Sequence, residues 1–354
     1  MKYIILFIFF FLGLLSNLFS QNIERELGKL YSEKNYDLVL HKADSLLQIN
    51  PNQSTPNLIK GRVLVDLGKY DEGKPFIKKA IQFDKQNSWK KAWGLAYLGI
   101  IEFISDHREK AKEDFENCLS MNATRNVNNA SKNYLNLFGL NNFYKDWKVI
   151  QTDNFIFHFP PNTVVANLNS FTNSRQRAFN EINNFFNSTI PKKIDFFVWN
   201  TNEDARELGL SQLGFSRPEF CIIHSRYNQT PGHEITHIIS YHYSNPVNAS
   251  RFINEGIAVA FDQTKTNKLK EAIKQRDKEN YAKDISIVEA WNNPKEYPEW
   301  VYYPLAGELI QRLIKQSGKE KFLKLVKNQS YESAKSIYGN ELELIIKGLE
   351  KEIN

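Results

Sequence analysis

The chain has 354 residues, room for two domains of about 100–200 residues each. With 42% hydrophobic and 24% charged residues and no excess of glycine or proline, its composition excludes wholesale disorder. The net charge of +6 is spread along the whole length without a dense Lys/Arg cluster, so it reads as solvated surface and argues against a nucleic-acid partner.

At the start, Lys2 precedes an almost unbroken apolar run over residues 3–15, followed by a more polar stretch to Gln21. A basic start, a short apolar core and a small residue before the cut describe a secretory signal peptide. Residues 1–20 are therefore expected to be removed after Ser20, sending the protein to the periplasm or outside the cell. The run is shorter than the roughly 20 apolar residues of a spanning helix. Membrane attachment is expected only if this segment stays uncleaved. The two cysteines, Cys118 and Cys221, are too few for a disulfide scaffold and read as small core residues.

Residues 21–145 read as helices with short polar breaks. Three segments recur: NYDLVLHKADSLLQINP, KYDEGKPFIKKAIQFDK and HREKAKEDFENCLSMN. Tyr36 and Tyr70 are 34 residues apart, and the third copy is offset by 38, which a four-residue insertion near residues 87–90 explains. Gly61, Gly73, Gly99 and Ala111 are small where paired helices would cross closely. Ile77, Ala80, Leu98 and Phe115 would fill the groove between neighbours. Over residues 23–125 this resembles the tetratricopeptide repeat family in three degenerate copies. The resemblance implies an all-α solenoid offering a surface to a protein partner or peptide. His41 and His107 are read as structural or surface residues.

The texture changes over residues 146–354. The stretches KVI (148–150) and NFIFHF (154–159) alternate as strands do and end at Pro160-Pro161. A helix is expected over about 164–186, then buried strands at KIDFFVW (193–199) and FCIIH (220–224). A small mixed sheet leading into a helical lobe follows, giving an α+β chain.

The segment TPGHEITHII carries the chemistry. Residues four apart share a helix face, so His233 and His237 can offer two imidazoles to one zinc ion, with Glu234 one step round beside the metal's water. A third ligand is expected on a second, returning helix. Glu255 supplies it, 18 residues after His237 and in a segment, RFINEGIAVAF, that is apolar or small apart from Arg251, Asn254 and Glu255 itself. A carboxylate pointing into the protein there requires a partner. His158, His224 and His242 have no spacing that recommends them and are read as structural.

His-Glu-x-x-His followed by Asn-Glu-Gly-x-Ala resembles the gluzincin peptidases, and residues 147–350 resemble the peptidase MA-like domains of exported bacterial proteins. The resemblance implies a zincin-like domain binding one Zn2+ through His233, His237 and Glu255, with Glu234 as general base in peptide hydrolysis. It also implies that the stretch from Leu213 to Ile223 forms an edge strand that takes up a peptide substrate. Tyr303, in YPLAGE opening a later helix, is the candidate oxyanion donor, with Tyr302 next. Two positions depart from the family. The Gly-x-Met-Glu-Asn signature of zinc aminopeptidases is absent, the methionines being Met1 and Met121 alone, which points to an endopeptidase. Where thermolysin-like members place an Asp to orient a histidine, this chain has Val259, leaving Asn254 or Asp262 for that role. The competing expectation is an envelope scaffold whose repeats bind protein and whose peptidase domain is weak or inactive.

Overall fold

In a computed structural model, residues 22–210, 212–264 and 266–354 are described; the expected signal peptide lies outside them. The chain divides into two compact units, Met1–Lys145 and Asp146–Asn354. It is mostly helical with one small mixed sheet, and so α+β.

The first unit holds seven helices among its described residues: α1 (22–32), α2 (Tyr36–Ile49), α3 (Ser54–Asp66), α4 (Tyr70–Phe83), α5 (Trp89–Ile104), α6 (Arg108–Met121) and α7 (Arg125–Leu137). Each from α2 onward packs on the next, and α3 and α5 also pack on the helices two places along. Absent side chains permit the closest of these crossings. A Cβ on Gly61 would stand 2.7 Å from Ile77 Cδ1, and one on Gly73 3.0 Å from the Gly61 carbonyl oxygen. A polar network ties α1, α3 and α5. Asp66 accepts hydrogen bonds from the hydroxyls of Tyr31 and Tyr97, and the Arg62 guanidinium sits 4.3 Å from the ring centroids of both Tyr31 and Trp93. His107 precedes α6 and contacts the buried Glu102, whereas His41 is exposed.

In the second unit, β1 (Lys148–Gln151), β2 (Phe155–Phe159), β3 (Ile194–Trp199), β4 (Phe215–Arg217) and β5 (Ile222–Arg226) form a sheet in the order β1-β2-β3-β5-β4. The three central strands are parallel and the two edges antiparallel. Helix α8 (Leu168–Phe186) connects β2 to β3. Phe155, Phe157, Phe196 and Ile223 bury one sheet face in a core shared with Phe179 and Ile182 of α8. On the other face His158, Phe197, His224 and Phe215 stack ring on ring across four strands, with centroids 4.3, 4.5 and 5.3 Å apart. β3 is buried along its whole length, as a parallel strand covered on both faces should be. Its one charge, Asp195, is paired with Lys192 at 2.9 Å and hydrogen-bonded to His158 at 2.7 Å.

After a short α9 (Asn202–Arg206) and the two last strands, the chain becomes helical. It runs through α10 (His233–Tyr243), α11 (Arg251–Ala260), α12 (Lys268–Glu279), α13 (Ile287–Asn292), α14 (Glu299–Ser317), α15 (Lys319–Lys327), α16 (Tyr331–Tyr338) and α17 (Asn340–Ile353). Among the described residues no helix is long and apolar enough to cross a membrane. Both cysteines are free and buried.

Candidate metal centre

Helix α10 starts at His233 because the two residues before it, Pro231 and Gly232, are suited to a helix entry and to close approach. A Cβ on Gly232 would stand 2.5 Å from the Phe261 carbonyl oxygen, so only glycine lets the end of α11 come this near. Ile235, Ile238 and Ile239 bury one side of α10 in the core of the unit. That leaves His233, Glu234 and His237 facing an open cleft of about 1440 Å³. Helix α11 is capped by the Ser250 side chain, and it carries Glu255 to the same cleft. Its height is set by Gly256, where a Cβ would stand 2.8 Å from the backbone of Ala306 on α14.

The two imidazoles lie nearly perpendicular, at 84° with centroids 5.0 Å apart. Their Nε2 atoms stand 3.4 Å and 3.5 Å from one and the same oxygen, Glu255 Oε2. These distances are longer than an ordinary N–H···O bond of about 2.7–3.2 Å. They match the roughly 3.3–3.5 Å between neighbouring ligands of a tetrahedral zinc with bonds of about 2.0–2.2 Å. Among the described residues this is the only group of three His, Cys, Asp or Glu whose donor atoms come that close. The donor set fits zinc.

Electrostatics agree with the geometry. Burial pushes the Glu255 carboxyl up, yet the imidazoles of His233 and His237 outweigh it and hold the group well below the carboxylate range. Burial pulls His237 down, while the carboxylates of Glu255 and Glu234 outweigh it and leave its pKa raised. The carboxylate of Glu255 and a cation beside it therefore stabilise one another in this cluster.

Tyr303 joins this cleft. Its ring is parallel to that of His233 within 12° at 6.4 Å. Burial and the Glu255 charge push its phenol far up, against the opposing pull of the Arg251 guanidinium, so it remains a protonated donor. Tyr302 is 2% exposed and packs in the core, outside the cleft lining.

Three expectations require correction. Tyr303 does not open its helix, because α14 starts at Glu299 after Pro298, placing Tyr303 and Pro304 inside it. Pro304 has no N–H to give the Trp300 carbonyl, so α14 lacks that bond in its second turn. Neither Asn254 nor Asp262 serves as the group that orients a ligand histidine. Asn254 accepts from Gln329, while Asp262 caps Thr264 and pairs with Lys268. Val259 packs against Gly307, where a Cβ would stand 2.3 Å from Val259 Cγ1.

His158, His224 and His242 are held elsewhere, His158 by Asp195, His224 by Trp199, and His242 by the Pro218 carbonyl and Cys221. Sequence reasoning gave no role to Arg251, which pairs with Glu299 at 2.7 Å beside Tyr303. Its position four residues before Glu255, on the same helix face, was the available signal. Gln329, which also lines the cleft, had none. Residues 214–216 line the cleft as well, and β4 is the edge of the sheet. Compared with known proteins, the sequence matches no family model and no curated protein.

Proposed function

We propose that the second unit is a zincin-like, zinc-dependent endopeptidase of the gluzincin type, and that the first is a tetratricopeptide-like solenoid that recruits its substrate or a protein partner. The observation that carries the reading is the convergence of His233 Nε2, His237 Nε2 and Glu255 Oε2 at zinc-ligand spacing, on the two helices and at the positions expected. These three residues would hold the ion. Zinc bound there supplies a Lewis acid that lowers the pKa of water and polarises a carbonyl.

The chain's own groups do the rest. Glu234, next to the first ligand on α10, takes a proton from the attacking water. The water oxygen adds to the scissile carbonyl carbon, the C–N bond breaks, and Glu234 returns the proton to the leaving amine. The Tyr303 hydroxyl, kept protonated by its surroundings, donates to the carbonyl oxygen as negative charge develops on it. Edge strand β4 offers unpaired backbone groups along which an extended peptide can lie. The apolar start of the sequence supports an exported protein.

The test is metal analysis of the purified chain together with casein cleavage. One equivalent of zinc, and proteolysis abolished in Glu234→Gln with zinc retained, are the expected results. Full zinc occupancy without cleavage of casein or any peptide library would transfer the function to the repeats.

A further inference from the structure

A chain of hydrogen bonds whose direction is fixed at one end runs behind Glu255. Gln329, 1% exposed, lies in the connection between α15 and α16. Its Oε1 accepts from the Ser250 backbone N–H at 2.9 Å. A backbone N–H can only donate, so this contact decides which end of the Gln329 amide is oxygen. The Nε2 end then donates to Asn254 Oδ1 at 2.8 Å. Two more bonds lock the residue in place, from its own N–H to the Asn248 carbonyl at 3.0 Å and from Trp291 Nε1 to its carbonyl at 2.9 Å.

With Oδ1 turned to Gln329, the Nδ2 end of Asn254 is turned away from it. Among the described residues no protein acceptor meets Nδ2, and Asn254 lines the cleft beside Glu255, along with Ser240 and Ser244. The sequence of amides therefore ends in a donor of fixed sense at the cleft wall. A donor needs an acceptor, and an extended peptide offers one backbone carbonyl per residue.

Resting on the peptidase reading, we propose that Asn254 is a substrate-binding residue that donates from Nδ2 to a backbone carbonyl of the bound peptide, with Gln329 as its positioning residue. Neither touches the reacting bond. Both act on binding, and the sense of the Asn254 amide is what matters.

Two substitutions invert that sense by different routes. Gln329→Glu still accepts from Ser250 but cannot donate, so Asn254 turns over and shows Oδ1 to the cleft. Asn254→Asp keeps the bond from Gln329 and puts an acceptor where the donor was. Each is made in the full zinc-loaded chain carrying Glu234→Gln, and fluorescein-labelled casein is titrated by anisotropy. Each is expected to bind about tenfold more weakly, with zinc content and Tm unchanged. With Glu234 restored, KM rises by the same factor while kcat holds. Should Gln329→Glu loosen the loop and lower Tm, Asn254→Asp decides alone. Casein binding at the parent's strength in Asn254→Asp overturns the assignment while leaving the peptidase reading intact. Binding lost only together with zinc assigns the pair to holding the fold and overturns it too. If the Glu234→Gln parent itself binds no casein, the peptidase reading fails first and takes this assignment with it.

Discussion

The Tyr303 ring lies parallel to the His233 ring, 6.4 Å centroid to centroid, and its phenol feels the Arg251 guanidinium as well as the Glu255 carboxylate. One residue thus lines the wall beside a candidate metal ligand and keeps a protonated hydroxyl in the same cleft. If that hydroxyl stabilises charge appearing only during reaction, Tyr303→Phe lowers kcat by about 10²-fold or more and leaves KM and zinc content nearly unchanged. Steady-state kinetics on a fluorogenic peptide read this directly. An unchanged kcat removes Tyr303 from the mechanism.

Without metal, the His237–Glu255 pair contributes stability in a defined pH window. The His237 pKa is raised above 6.5, so its contribution is full below that value and is lost as pH rises through the folded-state value. The Glu255 pKa is lowered from 4.5, so its contribution is present above 4.5 and is lost as pH falls through the folded-state value. In chelator, the Tm gap between the wild type and Glu255→Gln should be widest between those two reference values and shrink at higher pH. A gap independent of pH contradicts the coupling. Zinc affinity should rise over the same upward pH range, because His237 must shed its proton to bind.

Gly256 sets how closely α11 approaches α14. A Cβ there would stand 2.8 Å from backbone atoms of Ala306, which cannot swing aside like the tip of a flexible side chain. Gly256→Ala should therefore cost about 1–3 kcal/mol in urea unfolding. It should also weaken zinc binding, since the adjacent residue is Glu255. An unmoved urea midpoint would show that the helices separate freely.

Cys221 is buried with no exposed surface, and burial pushes its thiol up to about 12. Iodoacetamide at pH 8 should leave it unmodified in the native chain and label it promptly in urea, as peptide mass mapping would show. Labelling of the folded protein would mean that the β4–β5 corner opens on the experiment's timescale.

The strands and helices legible in the sequence were those whose own residues enforce a period. FIFHF and IDFFVW alternate or bury throughout, and α10 carries isoleucines on one side with His233, Glu234 and His237 on the other. The close crossing at Gly61 and Gly73 was also legible, because a missing side chain has few purposes inside a helix. The start of α14 was not, since Pro304 imitates a helix entrance while Pro298 provides it. Within the site, local spacing revealed the donors on α10 and α11 but not their neighbours from distant segments. Asn254 and Asp262 were plausible supports for a histidine by proximity in sequence alone. Their bonds to Gln329 and Lys268 depend on where the chain returns.

The place of Gln329 bears on the order in which the protein is made. The loop joining α10 to α11 is held through Asn248 and Ser250, and the first turn of α11 through Asn254, all by a residue that follows Asn254 by 75 positions. A nascent chain that has released Glu255 from the ribosome but not Gln329 already owns both histidines and the carboxylate, without the clasp that fixes the loop between them. Completion of the cluster is thereby tied to late synthesis, and a chain arrested before residue 329 would carry His233, His237 and Glu255 in an unsecured frame.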